Sequence, residues 1–197
     1  EDQWQHAYSS MSLLDEKIPY AVVMGNHDMG PEGKCEVRES PLFNKYFPLD
    51  KYSELNTFGG TFDSKLLDNS YHFFEKADIG WLILALEYLP RHRILEWAND
   101  ITSSYKDRKV IILTHSHVYE NNKLHGVEPV STDNLGIINS PEGANNGLQT
   151  WDRLISKHSN ISLVFNGHFL AIGRVTTKGN NGNIVHQMLA NYQDMEK

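Results

Sequence analysis

Three apolar, β-branched runs in this chain stop abruptly at polar sets that contain histidine. "YAVVMGNHDMG" breaks at Gly25-Asn26-His27-Asp28, "KVIILTHSH" ends at His115-Ser116-His117, and "ISLVFNGH" ends at Asn166-Gly167-His168. Short apolar runs closed by glycine and polar residues read as buried strands. In open α/β sheets, ligands sit beyond the carboxyl ends of such strands. If the three strands are parallel neighbours, their polar tips meet. This shared grammar constrains the fold more than any bulk property, because it asks for a sheet that brings three distant segments to one edge.

The rest of the chain supplies the helices such a sheet needs. Trp4, Ala7, Tyr8, Met11 and Leu14 recur at helical spacing and predict a helix over residues 2–14. Residues 90–104 carry Ile94, Leu95, Ala98 and Ile101 on one face, with Pro90 suited to a helix start. "PLFNKYF" predicts a short helix or turn, and "LQTWDRLISKH" a further helix. Two hairpins are expected. One joins residues 71–74 to 81–86 through Asp78 and Gly80; the other turns at Gly179-Asn180-Asn181-Gly182. Residues 30–70 and 119–147 are long loops rich in Pro, Gly and Asn, the natural places for substrate specificity.

Composition narrows the chemistry. Over 197 residues, 40% hydrophobic and 22% charged describe an ordinary globular domain with a core of its own. A formal net charge of -7 without any block of Lys or Arg argues against nonspecific nucleic-acid or anionic-membrane binding. No run is long enough to span a membrane. With a single cysteine, Cys35, the chain can form neither an internal disulfide nor a thiolate metal cage. Imidazoles with an Asn carbonyl suit borderline divalent ions such as Mn, Zn or Fe(II), in a catalytic site with open positions rather than a closed structural one.

With those residues in view, the chain resembles the calcineurin-like metallophosphoesterases: "VVMGNHD" is similar to that family's third block, "VIILTHSH" to its fourth and "LVFNGH" to its fifth. The resemblance implies an α/β fold, part of a four-layer α-β-β-α sandwich, and one phosphoesterase domain over residues 1–197. It also implies hydrolysis of a small phosphate mono- or diester by water activated between two divalent ions. Asn26, His115 and His168 are implied as ligands of one ion. His27 is implied as general acid or phosphoryl-oxygen stabiliser, and Asp28 as the group that orients His27.

Two departures accompany the match. The family's Asp-x-His and Gly-Asp blocks do not occur in the 25 residues before Asn26, and Leu170 in "GHFLAIG" stands where the fifth block has its second His. Both belong to the other ion. The non-Met start inside a helix pattern fits a piece of a longer enzyme, incomplete at the N-terminus, with little phosphoesterase activity alone; the stop at "NYQDMEK" hints at the same for the C-terminus. The competing reading is a noncatalytic or single-metal binding domain of the same fold. A His-metal amide or ester hydrolase lacks support, since neither a nucleophile elbow nor His-Glu-x-x-His is present. The compartment is open, with a lean towards extracytoplasmic; the oligomeric state is not legible.

Further candidates carry two readings each. His117, two residues after His115, is placed to contact substrate or to replace His115 as ligand. His125 either reaches over the site or is a solvated loop histidine. Glu87 and Arg91 form an ion pair at the rim or help bind phosphate. Asn166 reads as turn chemistry, and His6, His72, His92, His158 and His186 as structural histidines. Asn160-Ile161-Ser162 matches a glycosylation acceptor.

Overall fold

The computed structural model describes residues 1–126 and 135–193. The expected helices are α1 (Asp2–Ser12), α2 (Pro41–Tyr46), α4 (His92–Ser104) and α6 (Gly147–Arg153); α3 (Leu49–Ser53) and α5 (Leu135–Ile138) are short additions within the two loops. The strands are β1 (Phe58–Thr61), β2 (Ser70–Lys76), β3 (Ile79–Ala85), β4 (Lys109–Leu113), β5 (Ile161–Asn166), β6 (Ile172–Lys178) and β7 (Ile184–Ala190). They form one seven-stranded mixed sheet in the order β1-β2-β3-β4-β5-β7-β6. β3, β4, β5 and β7 run parallel, and antiparallel strands close both flanks. The α/β class is therefore as expected; of the four layers, the described residues form this sheet and the helices against it.

Local chemistry explains the elements. The β2–β3 hairpin pairs Lys76 with Ile79, so only Ala77 and Asp78 make the turn, both at positive φ (53° and 58°). That is the two-residue geometry whose twist matches the strands. At the start of α6, Asn146 Oδ1 accepts from the Gln149 amide at 3.0 Å and Gln149 Oε1 accepts from the Asn146 amide at 3.0 Å, a reciprocal cap. Leu82 and Leu84 of β3, Val110 and Ile112 of β4, and Ile161 and Val164 of β5 alternate with less buried neighbours and form one core with Ile94, Leu95 and Ala98 of α4. On the opposite sheet face Phe165, Ile172 and Ile184 remain 38%, 58% and 49% exposed.

One expected strand is corrected. Residues 20–24 make no ladder with any described strand; Val22 and Met24 instead join a second core with Met29, Phe43, Phe47 and Tyr52. An apolar β-branched run satisfies the burial requirement of a strand, but a strand also needs a neighbour to take its backbone hydrogen bonds. Trp4 and Met11 of α1 pack on this second core. Among the described residues, no helix is long and apolar enough to cross a membrane.

Candidate active site

Two of the three polar tips lie at the carboxyl ends of the adjacent parallel strands β4 and β5. The Thr114 amide donates to Phe165 O at 3.1 Å and the Gly167 amide to His115 O at 3.1 Å, so the two tips are laced together past the end of the ladder. Beyond them, His168 takes φ 71°, a left-handed conformation uncommon for a residue with a side chain. Gly167 before it has open space where a Cβ would be.

The third tip arrives as a single 3₁₀ turn, Asn26–Asp28. Asp28 closes it: its amide donates to Gly25 O at 3.2 Å, and its Oδ2 accepts from the Gly25 amide at 2.7 Å. Gly25 is required because a Cβ there would stand 2.8 Å from His115 Cε1. The glycine that ends the apolar run thus makes room for an imidazole from β4.

The result is a convergence of three atoms from three segments. Asn26 Oδ1 lies 2.9 Å from His115 Nε2 and 3.2 Å from His168 Nδ1, and the two nitrogens are 3.1 Å apart. The buried Tyr88 packs its ring on both imidazoles, with centroids 5.6 Å from His115 and 5.3 Å from His168. Burial, then the proximity of His168 and His27, pushes the His115 pKa down to about 3. Burial, then His125 and His27, pushes His168 to about 4. Both rings are therefore neutral near neutral pH, with lone pairs available at one point.

A divalent ion fits this donor set. Three ligands at right angles around an ion, each about 2.1 Å away, stand roughly 3 Å apart, as these atoms do. Among the described residues no group of three His, Cys, Asp or Glu side chains is gathered around one point; the third donor here is a carboxamide. Leu170, 53% exposed, brings no ligand for a second ion.

His27 stands beside this cluster on the exposed side of the turn. Its Nδ1 lies 3.1 Å from Gly33 O. A carbonyl can only accept, so in this contact Nδ1 carries the proton. This corrects the role expected of Asp28: its carboxylate is engaged with the Gly25 amide, and a backbone carbonyl six residues downstream orients His27. Gly33 sits at φ 69°, and a Cβ there would collide with His27 O.

The other candidates lie elsewhere. His117 is fully buried, with Nε2 2.6 Å from Gln187 Oε1 and its pKa pushed by burial to about 4. It faces away from the cluster because the chain bends after Leu113, so the two-residue alternation assumed for it does not hold. His125 is not a solvated loop residue: it is buried, with Nδ1 3.0 Å from Ser116 Oγ and its ring against Phe169 at 5.0 Å. Asn166 holds the Val118 amide and carbonyl at 2.9 and 3.1 Å, the turn role expected. His186 is exposed, 3.3 Å from Thr176 Oγ1.

Glu87 and Arg91 do pair, but inside the protein and not at its rim. Glu87 is 1% exposed. Its Oε1 accepts from the Arg91 amide at 3.0 Å, from Arg91 Nε at 2.8 Å and from Arg38 Nη1 at 3.3 Å; its Oε2 accepts from Arg91 Nη2 at 2.8 Å and Asn69 Nδ2 at 3.0 Å. Arg91 Nη1 reaches Glu142 at 3.1 Å. Arg38 also donates to Tyr88 O, Leu89 O and Gly143 O. Sequence reasoning missed Arg38, Tyr88 and Gly33: none sits in a motif, and each acts through a partner distant in the chain or through its backbone.

The comparisons agree with the geometry. Uncharacterized protein YvnB of Bacillus subtilis (strain 168) is 26% identical over 199 residues, which cover 97% of this chain and 13% of that protein. The chain thus spans a small part of the length of the curated relative it matches. The model of the calcineurin-like phosphoesterase family matches residues 2–171, a span that holds the turn at Asn26, the tips of β4 and β5, and the second core. With most of its length matched in this way, the chain belongs to the calcineurin-like phosphoesterase family.

Proposed function

We propose that this chain carries one half of a phosphoesterase centre: Asn26, His115 and His168 hold one divalent ion, and His27 faces the ester. The observation that supports the reading is the mutual approach of Asn26 Oδ1, His115 Nε2 and His168 Nδ1 to 2.9, 3.2 and 3.1 Å. Each neutral ring can turn a lone pair to this point by placing its N–H on the other nitrogen, which gives an ion three donors. An ion in that position supplies Lewis acidity and positive charge for the phosphoryl oxygens, which an acidic protein otherwise lacks.

The chain's own residues do the rest. Tyr88 and Phe169 exclude water from the far side of the imidazoles. Gly33 O fixes the His27 ring by Nδ1, so that a protonated His27 presents Nε2–H to the leaving oxygen or to a phosphoryl oxygen. Asp28 holds the turn that places Asn26 and His27 on either side of one peptide. No described second donor cluster accompanies this one, which favours a single ion in the isolated chain and little turnover by it. Complete phosphomonoester or phosphodiester hydrolysis calls for a second ion, whose ligands the described residues do not gather.

Equilibrium dialysis tests the reading. With Mn²⁺ and inorganic phosphate, the chain should bind about one ion, and phosphate only when the ion is present. His115→Ala and His168→Ala should each lower ion affinity by roughly 10- to 100-fold or more. Phosphate binding that is independent of the ion, or ion binding unaffected by both variants, contradicts it. Rapid hydrolysis of 4-nitrophenyl phosphate by the chain alone contradicts the half-site description.

A further inference from the structure

His168 brings its imidazole to the cluster from a strained piece of backbone. The Phe169 amide donates to Gly167 O at 3.0 Å, a bond that spans a single residue, and that residue, His168, stands at φ 71°. This is the γ-turn of positive φ, which is rare and which a residue with a side chain adopts only at a cost. In an extended chain, consecutive side chains point to opposite faces. Here the rings of His168 and Phe169 lie together, with centroids 4.7 Å apart and planes at 73°. One turn thus sends the first ring into the cluster and folds the second against it.

A strained conformation persists only where its surroundings over-determine it. Three parts of the chain do so here. At the entry, Asn166 Nδ2 donates to Gly167 O at 3.0 Å and the Gly167 amide donates to His115 O at 3.1 Å, which ties the turn to the tip of β4. At the exit, Asn191, the residue after β7, donates from Nδ2 to His168 O at 3.3 Å and from its amide to Ala171 O at 3.0 Å. On the flank, the Phe169 ring meets Tyr119 at 4.5 Å and His125 at 5.0 Å, both edge to face, in the loop that follows β4. The His125 ring is itself fixed, with Nδ1 3.0 Å from Ser116 Oγ and its amide donating to His117 O at 2.7 Å.

We propose that Phe169 and Asn191 are positioning residues for the ion: they hold the turn that aims His168 Nδ1 at Asn26 and His115, and Tyr119 and His125 form the wall against which Phe169 is set. Neither residue supplies one of the three converging atoms; both act through His168. When either is lost, His168 relaxes towards a right-handed or extended backbone, its Cβ changes direction, and the imidazole leaves the other two donors. The buried His125 thereby has a use in the site without reaching over it. The inference rests on the ion-binding reading of the cluster and adds the residues that aim one of its ligands.

Calorimetric titration with Mn²⁺ tests it on the wild-type chain, on Phe169→Leu and Asn191→Ala, and on each of these combined with His168→Ala. Each single variant should bind Mn²⁺ about tenfold more weakly than wild type. Added to His168→Ala, neither should weaken binding by more than about twofold, because the ring through which they act is already gone. Phe169→Tyr, which keeps the aromatic ring, should stay within about threefold of wild type. Single variants that bind like wild type, or losses that simply add to that of His168→Ala as a general loosening of the fold would make them, overturn the proposal. Asn191→Ala carries the test where Phe169→Leu folds poorly. Crystals of the two variants grown without ion give a second reading: His168 should leave φ 71°, and a His168 unchanged in both overturns the proposal whatever the ion does. Should the wild-type chain bind no Mn²⁺, the ion reading fails by itself, and the crystallographic result alone decides whether Phe169 and Asn191 position His168.

Discussion

Two buried polar clusters share the carboxyl edge of this sheet, and they are built on opposite principles. Around Glu87, every carboxylate oxygen is matched to N–H donors from Arg38, Arg91 and Asn69, all within 3.3 Å. Around Asn26, one carboxamide oxygen and two imidazole nitrogens, each able to donate or accept according to tautomer, crowd one point. In the first cluster the Glu87 carboxylate is fully matched, Arg38 Nε alone of its donors being buried without a described partner, and residues 38, 69, 87 and 91 form one unit. The second is the one we propose to hold a divalent ion. A buried polar group with its partners is architecture; buried lone pairs that face one another are an invitation to a ligand.

Breaking each cluster should therefore be felt in a different measurement. The largest effect on stability is expected for Glu87→Ala, which leaves Arg38 and Arg91 without their buried counter-charge and should cost about 3–5 kcal/mol in urea unfolding. At the other cluster, Mn²⁺ at about 100 times its dissociation constant should stabilise the wild-type chain by roughly 2.7 kcal/mol and leave His168→Ala unmoved. Gly25→Ala sharpens the contrast: by pushing on the His115 ring it should lower Mn²⁺ affinity by roughly 10- to 100-fold, measured by calorimetry.

The pH dependence separates them further. His115 and His168 have pKa values lowered to about 3 and 4, so protons should not compete with the ion above about pH 5, and affinity should fall only below that. His72 and His117 are lowered to about 4 as well. In each case the unfolded chain binds a proton that the folded chain resists. Stability of the ion-free protein is then full above about pH 6.5 and declines as pH falls towards 4, where unfolding would take up those protons. The smallest effect is expected for His27→Gln. This exposed residue should leave unfolding free energy within about 0.5 kcal/mol and Mn²⁺ affinity nearly unchanged, while removing whatever phosphoester turnover there is.

Much of this was legible in the sequence because periodicity and punctuation are local. Both hairpins, α4, β4 and β5 follow from alternation, helical spacing and turn residues, and the grammar of the three tips pointed to Asn26, His115 and His168 together. What escaped depends on partners. Residues 20–24 have the side chains of a strand but no described neighbour to pair with. His117 was expected beside His115 because an extended backbone was assumed past Leu113, where the chain bends. Asp28 was expected to orient His27, yet a carboxylate three residues along a 3₁₀ turn reaches the Gly25 amide first. The clamp on His27 is a glycine carbonyl, which no side-chain pattern reveals. Arg38 has no motif around it, and its meaning lies in Glu87, 49 positions away. Of the loop over residues 119–147, expected to carry specificity, residues 127–134 lie outside the described ones.

The central claim is that three atoms, two from strand tips and one from a 3₁₀ turn, are gathered to hold one ion. Crystals of the chain soaked in Mn²⁺ and measured at a wavelength where manganese scatters anomalously test it most directly. A single anomalous peak about 2.1–2.3 Å from Asn26 Oδ1, His115 Nε2 and His168 Nδ1 is the predicted result. A well-ordered cluster with no peak at its centre, while manganese binds elsewhere or not at all, would contradict it.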